Sequence, residues 1–230
     1  MAAECVMFVG PSALGVTRAD WDGFPLSLAA RGPVERGDVA RLVEESEPGT
    51  VVVVDGRFHD ALAVGHLELR EALARGWNVW GVSSMGAIRA YEMRDLGMRG
   101  FGQVYRAFFE HDDFQDDEVA LLHNPEPPYQ PLSEPMVHLR AAVEVMRRRS
   151  LLTPASAHRV VRALKERWYG ERTVSLLTHL ARAEARPAAH SGIEDLLRAF
   201  DRFRVKTHDL VGFLALSRGE VLGPVVGGSN

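Results

Sequence analysis

The chain has 230 residues, 46% of them hydrophobic, and a formal net charge of −4. This length allows one sizeable core, and the charge excludes the broad basic field of most nucleic-acid-binding proteins, so we expect no nucleic-acid partner. A single cysteine cannot form an internal disulfide, and no apolar run reaches the roughly 20 residues of a membrane helix. The first residues also lack the pattern of a secretory signal. We therefore expect a cytoplasmic protein that binds no membrane.

Short apolar runs alternate with helical patterns in the first half, which predicts βαβ units and a parallel sheet. Three runs are typical of buried strands: residues 5–10, 50–56 and 77–82. Between the last two runs, apolar residues such as Leu69 and Leu73 have helical spacing and the pattern ends at Gly76, which predicts a crossover helix. Ligands of open parallel sheets bind at the carboxyl ends of the strands, so we expect the site in the turns that follow these runs.

The second half contains helix patterns and no comparable apolar run. The patterns begin near Ser133, Thr153 and the capping-box sequence at Ser191, and a last helix is predicted over 207–218. The predicted fold class is therefore α/β, with a small parallel sheet and crossover helices in the N-terminal half and a helical C-terminal cover. We place the core at residues 1–124 and the cover at 125–230.

Ser83 and Ser84 lie between the third predicted strand and the helix that follows it. One interpretation is an N-cap, because a serine hydroxyl accepts a hydrogen bond from a free N–H at a helix start. Another is a nucleophile, because hydrolases present a serine in a strand-turn-helix beside amides that can bind an oxyanion. The glycine spacing of that turn is only partly met, since Gly81 precedes Ser83 by two residues and Gly86 follows Ser84 by two. Both interpretations stay open on the residues alone.

A serine hydroxyl needs an adjacent base to act as a nucleophile. His59 and His66, with Asp55, allow a Ser/His/Asp arrangement, and Lys206 is the competing base because it lies among apolar residues near a predicted helix start. Lysine is scarce in this chain, with only Lys165 and Lys206, and arginine cannot accept a proton since its guanidinium stays charged. Lys206 also allows a simpler interpretation as a snorkelling surface lysine, and Lys165 has the pattern of a solvated helix face.

Five carboxylates cluster in the segment 112–118. The segment lacks the glycine of an EF-hand loop, so we predict no metal site there and interpret it as a solvated acidic loop or a docking patch for a basic partner. Arg89, about a turn and a half after the serines, is either a site residue that holds a carboxylate or a surface arginine.

Several strings, in a fixed order, resemble the TfuA-like family. They are FVGPS (8–12), DGRF (55–58), VGHLELREAL (64–73), GVSSMGAIRAYEM (81–93), LGMRGFGQVYRAF (96–108), DDEVA (116–120), YQPLSEPMVHLR (129–140) and VKTHDL (205–210). The resemblance implies a partner of a YcaO enzyme in the thioamidation of peptide backbones, in which YcaO activates an amide with ATP and sulfur replaces its oxygen.

The resemblance also implies chemistry and site residues. A TfuA-like protein hydrolyses the C-terminal thiocarboxylate of a ThiS-like sulfur carrier with a serine and a lysine, and so supplies sulfide to YcaO, without a cofactor. The family serine corresponds to Ser84 in the string SMGAIRA, and one family lysine corresponds to Lys206 in the string KTHD. A second family lysine, between a histidine and a glutamate, is replaced here by Leu67.

The predicted site therefore has Ser84 as nucleophile and Lys206 as base. The residues expected to support the oxyanion or the site are Met85, Gly86, Arg89 and Ser83, and those that could line it are Ser12, Asp55, His59, His66 and Glu68. If the lysine replaced by Leu67 is the catalytic one, the alternative is a noncatalytic docking module that raises the affinity of YcaO for its peptide substrate. A third hypothesis is a general serine esterase or amidase.

Overall fold

The computed structural model describes residues 4–57, 61–111, 113–216 and 218–222. The chain forms two compact units, Met1–Phe114 with Lys206–Asn230, and Gln115–Val205. These bounds differ from the predicted 1–124 and 125–230, because the end of the chain returns to the first unit. It does so through Leu210, Phe213 and Leu214, which are buried in the core of that unit.

A parallel sheet of five strands organises the first unit, in the order β2-β1-β3-β4-β5. The strands are β1 Cys5–Phe8, β2 Leu28–Arg31, β3 Thr50–Val53, β4 Asn78–Val82 and β5 Arg99–Phe101. The three predicted strands are the central ones, β1, β3 and β4, and they are confirmed. They are mainly apolar because a parallel sheet is covered on both faces. The two edge strands, β2 and β5, are partly exposed and carry no apolar run, so the sequence pattern did not indicate them.

Helices connect these strands and build the second unit. In chain order they are α1 Arg18–Asp22, α2 Asp38–Glu45, α3 His66–Ala74, α4 Met85–Glu92, α5 Gln103–Glu110, α6 Met136–Arg148, α7 Pro154–Lys165, α8 Val174–Glu184, α9 His190–Arg198, α10 Val205–Leu214 and α11 Arg218–Leu222. The predicted crossover helix is α3, and the predicted last helix is two helices, α10 and α11. Among the described residues, no helix is long and apolar enough to cross a membrane.

Alternate residues of the central strands belong to two separate apolar clusters, one on each face of the sheet. On β3, Val51 and Val53 lie in a cluster with residues of α2, α3 and α4, whereas Val52 lies in a cluster with residues of α10 and α11. Val54, directly after the strand, belongs to the second cluster. This alternation follows from the two-residue period of a strand. The first unit is therefore a three-layer α/β structure, in which α10 covers one face of the sheet.

The second unit is helical in the described residues. Helices α6 to α9 enclose a core of buried aliphatic and aromatic side chains that includes Met136, Leu164 and Phe200. Thr153 caps α7 as predicted, since its side chain accepts a hydrogen bond from the N–H of Ser156. The capping box predicted at Ser191 is wrong, because a short 3-10 turn leads directly into α9 and the helix has already begun at that residue.

Two carboxylates of the acidic segment that precedes α6 form ion pairs with basic residues of the second unit. Glu118 is fully buried and pairs with Arg140 and Lys165, and Asp117 pairs with Lys165 and Arg172. The interpretation of Lys165 as a solvated residue is therefore wrong. The carboxylates of Asp117 and Glu118 are engaged within the second unit, so they cannot form the predicted docking patch without losing these ion pairs.

Candidate active site

The turns after β1, β3 and β4 place Gly10, Asp55 and Ser83 in one row. Each of these residues stands two positions beyond the last paired residues of its strand in the β1–β3 or β3–β4 register. Because the strands are parallel, the row lies along the carboxyl edge of the sheet, where the sequence predicts the site.

Asp55 is the centre of a buried hydrogen-bond network at this edge. Its Oδ2 accepts from the N–H of Gly10 at 2.8 Å and from the N–H of Ser12 at 3.0 Å. Its Oδ1 accepts from the hydroxyl of Ser12 at 2.7 Å. Asp55 and Ser12 are both buried. The network holds the turn after β1 against the end of β3 and fixes the direction of the carboxylate.

Lys206 lies beside Asp55, in the first turn of α10. Its Nζ is 3.7 Å from Oδ1 of Asp55, and the residue is 2% exposed. Its backbone carbonyl accepts a hydrogen bond of 2.8 Å from the hydroxyl of Ser83. The interpretation of Lys206 as a snorkelling surface lysine is therefore wrong. The fold places this amine among the turns of the sheet edge.

Two further side chains tie α10 to the same edge. The hydroxyl of Thr207 donates to the carbonyl of Leu14, which follows β1. The carboxylate of Asp209 accepts from the N–H groups of Gln103 and Val104, at 2.7 and 2.9 Å, and so caps the start of α5. Burial raises the pKa of Asp209 to about 6, although these two hydrogen bonds act in the opposite direction. The start of α10 is thus bonded to segments that follow β1, β4 and β5.

Ser84 occupies the N-cap position of α4, but its side chain makes no capping hydrogen bond. The N-cap interpretation of its hydroxyl is therefore wrong. Within the residues that the structure describes, the Ser84 hydroxyl has no hydrogen-bond partner, and the residue is 2% exposed. Ser83 differs from it, since its hydroxyl is bonded to Lys206 and its φ of +64° lies in the left-handed region. The two serines therefore have different environments.

The first two backbone amides of α4 also differ in their hydrogen bonding. The N–H of Gly86 donates to the carbonyl of Val54 at 3.2 Å, so this predicted oxyanion donor is already engaged. The N–H of Met85 has no acceptor within the described part of the chain. It is the first amide of α4 and the one next to Ser84, and it remains able to bind an oxyanion.

The other predicted site residues have structural partners. Arg89 donates to the carbonyl of Val64 and to Glu92, and His66 contacts the same Glu92 carboxylate. Glu68 accepts from the N–H groups of Gly37, Ala40 and Gly65 and so caps the starts of α2 and α3. His59 and the first carboxylate of the acidic segment, Asp112, lie outside the described residues.

The tie between Asp209 and α5 was not predicted. A signal for it exists in the sequence, because α5 begins after Gly102 and has no Ser, Thr, Asp or Asn at its N-cap. A helix start of this kind needs an acceptor from elsewhere in the chain. The sequence could indicate that need, but it could not indicate that the acceptor comes from α10.

Comparison with protein-family models identifies a family. A family model described as TfuA-like protein matches residues 55–173. The match includes Asp55, Ser83 and Ser84 and ends before Lys206. The chain matches no curated protein.

Proposed function

The chain belongs to the TfuA-like family, whose model matches just over half of its residues, and from this premise we propose that it is an accessory enzyme of peptide thioamidation. It hydrolyses the C-terminal thiocarboxylate of a ThiS-like sulfur carrier and supplies the sulfide to a YcaO enzyme that thioamidates a peptide backbone. The observation that carries this proposal is a buried lysine amine at the sheet edge, in a residue bonded to the serine turn.

The surroundings of Lys206 suit a residue that takes up and releases a proton. Burial disfavours the ammonium form of a lysine, whereas a nearby carboxylate stabilises it. Lys206 has both influences, since it is buried and its Nζ lies 3.7 Å from Asp55. In the proposed reaction, neutral Lys206 accepts the proton of Ser84, and Asp55 stabilises the ammonium that results.

The first half of the reaction forms an acyl-enzyme. Oγ of Ser84 attacks the carbon of the thiocarboxylate, and its proton passes to Nζ of Lys206. The N–H of Met85 stabilises the oxyanion, a contribution that is typically about 3 kcal/mol for one donor. The Lys206 ammonium then returns this proton to the sulfur, and the tetrahedral intermediate expels it as hydrosulfide. The lysine is neutral again, and the carrier remains bound to Ser84 as an ester.

The second half of the reaction restores the enzyme. A water molecule gives a proton to Lys206 and attacks the ester, and Oγ of Ser84 leaves with a proton from the lysine. In sum, a thiocarboxylate and water give a carboxylate and hydrogen sulfide. Every proton step involves the same amine, so the proposal depends on a residue at position 206 that can lose its proton.

The test measures sulfide release from a purified thiocarboxylated ThiS-like carrier. We expect Ser84→Ala and Lys206→Arg each to lower the rate by about 100-fold or more, since arginine keeps the charge but cannot act as a base. Lys165→Arg is the matched control, because it makes the same change at the other lysine of the chain. If Lys206→Arg does not fold, as judged by circular dichroism, Lys206→Met replaces it. Release at the wild-type rate by either site variant would refute the assigned pair.

One observation favours the noncatalytic docking module as a second candidate function. The position of the other family lysine is occupied by Leu67, a residue that is 73% exposed. A leucine cannot act as a base, so this position contributes no second lysine to the proposed hydrolase. If the wild-type protein releases no sulfide but still raises the affinity of YcaO for its peptide, the docking function replaces the hydrolase.

A further inference from the structure

Ser83 has a backbone conformation that is unfavourable for a residue with a side chain. Its φ is +64°, in the left-handed region, and the residue is fully buried. Glycine adopts this conformation without the steric penalty that a Cβ brings. The side chain at position 83 therefore has to provide an interaction that glycine could not.

That interaction is the hydrogen bond to Lys206. The hydroxyl of Ser83 donates to the backbone carbonyl of Lys206 at 2.8 Å, in buried surroundings and across 123 positions of the chain. Strained residues persist where the surrounding structure holds them, and they cluster at functional sites. Here the strained residue precedes Ser84 directly, so the bond joins the turn that carries one reacting group to the residue that carries the other.

The bond fixes the backbone of Lys206, and Asp55 lies beside the far end of its side chain. A base must lie within hydrogen-bond reach of the proton that it takes, and a misplacement of about 1 Å can lower a rate about 100-fold. Loss of the Ser83 hydroxyl leaves Nζ close to Asp55 but removes the restraint on the backbone from which the amine extends.

We propose that Ser83 is a positioning residue, whose hydroxyl fixes Lys206 relative to Ser84, and that Ser84 alone of the two serines is the nucleophile. This inference rests on the proposed function for the role of Lys206 as a base. It gives Ser83, which the sequence analysis names only as a supporting residue, a defined contact and a defined task.

The test uses a fluorophosphonate, which labels activated serines and requires no sulfur carrier. The rate of labelling is measured for the wild type, Ser83→Gly and Ser83→Ala, and the labelled residue is identified by peptide mass spectrometry. We expect the label on Ser84 in all three proteins and a rate about 10- to 100-fold lower in both variants. Ser83→Gly suits the positive φ, so it separates loss of the hydroxyl from backbone strain and serves alone if Ser83→Ala does not fold.

The matched control is Ser156→Ala in the second unit. The hydroxyl of Ser156 also donates to a backbone carbonyl, that of Glu184, at 3.1 Å. Its removal deletes a bond of the same kind, and we expect the wild-type labelling rate.

A double-mutant cycle distinguishes positioning from a general structural effect. If Ser83 acts through Lys206, Ser83→Gly has no further effect on labelling in a Lys206→Met background. Equal effects of Ser83→Gly in both backgrounds would overturn the proposal, as would label on Ser83, a wild-type rate in Ser83→Gly, or no labelling of the wild type. If Ser84 is labelled with the expected dependence on Ser83 but the protein releases no sulfide from the carrier, the positioning role holds and the thiocarboxylate substrate is wrong.

Discussion

At the scale of single residues, Asp55 joins the turn after β1 to the surroundings of the Lys206 amine. It accepts three hydrogen bonds from Gly10 and Ser12 and lies 3.7 Å from the amine of Lys206. A carboxylate away from water is stable only when hydrogen bonds satisfy its lone pairs. The turn after β1 therefore contributes to the site by holding the carboxylate of Asp55 in one orientation beside Lys206.

Replacement of Asp55 tests this role. We expect Asp55→Asn to lower the free energy of unfolding by about 1–3 kcal/mol, because a side-chain amide cannot accept all three of the buried hydrogen bonds that the carboxylate accepts. Glu166→Gln is the control, since it breaks the pair of Glu166 with Arg162, in which both side chains are mostly exposed, and such pairs contribute little. Urea unfolding measures both changes, and similar small changes would contradict the structural role of Asp55.

Asp209 gives the fold a dependence on pH. Burial raises its pKa to about 6, above the ordinary value of 3.8, and the charge of Arg106 lowers it only in part. Because the folded protein binds this proton more tightly than the unfolded chain, the stabilising contribution is complete below the ordinary pKa and is lost as the pH rises through the folded pKa.

The comparison of the wild type with Asp209→Asn isolates this contribution, since asparagine does not titrate. We expect the difference in unfolding free energy to move in favour of the wild type by about 1–2 kcal/mol between about pH 7.5 and about pH 5. The exposed Asp195, paired with Arg198, provides the control variant Asp195→Asn, for which the difference should stay flat. A flat difference for Asp209→Asn would mean that its carboxylate is ionised throughout.

At the scale of elements, the close approach of α4 to the sheet determines where the serine turn lies. A Cβ at Gly86 would clash with the carbonyl oxygen of Val53, and a Cβ at Gly81 would clash with the carbonyl oxygen of Gly86. The two glycines that resemble part of a hydrolase turn thus allow helix and strand to touch. This contact sets the position of Ser84 at the end of β4.

Gly86→Ala tests the packing of α4. We expect it to lower the free energy of unfolding by about 1–3 kcal/mol or more, because the neighbouring atom belongs to the backbone of β3 and cannot move aside like a side chain. Gly219→Ala is the matched control, since Gly219 lies in α11 with open space around it, and an alanine in a helix is more favourable than glycine by up to about 1 kcal/mol. Equal destabilisation by the two substitutions would contradict this account.

The elements that could be predicted are those whose burial leaves a clear apolar pattern in their own sequence. The runs that became β1, β3 and β4 are apolar on both faces, and α3 has a helical period that ends before a glycine. The edge strands β2 and β5 could not be predicted, because pairing with a neighbour forms them and partial exposure leaves their residues mixed. The split between α10 and α11 was also missed.

At the scale of the whole molecule, the chain leaves the first unit after Phe114 and returns to it at Lys206. The returning segment provides Leu210, Phe213 and Leu214 to the apolar cluster on one face of the sheet, and Phe213 makes ring contacts with Trp80 and Phe101. The same segment brings Lys206 to the carboxyl edge, so one helix completes both the core and the site.

Truncation tests the role of this segment. We expect a chain that ends at Val205 to lose the cooperative unfolding of the first unit, because one face of its sheet is left without α10 and α11. Urea unfolding followed by tryptophan fluorescence measures this, since Trp77 and Trp80 lie in the cores of the first unit. Retention of the wild-type transition would show that the sheet does not need this cover.

The candidate site could be predicted only in part, because residues far apart in the chain complete it. The topology of a parallel sheet places the turns at Ser12, Asp55 and Ser83 together, and the scarcity of lysine indicates Lys206. The contacts that give these residues their roles join distant parts of the chain, as the bond from Ser83 to Lys206 does. Local sequence gave no reason to assign the hydroxyl of Ser83 to Lys206 and to leave that of Ser84 without a partner in the described residues.

The most direct test of the hydrolase is the detection of its acyl-enzyme. Wild-type protein is mixed with thiocarboxylated carrier, quenched with acid within the first turnover and analysed by intact mass and peptide mapping. We expect an ester between the carrier and Ser84, absent from Ser84→Ala and from Lys206→Arg. Sulfide release without any adduct, or with an adduct on another residue, would contradict the account.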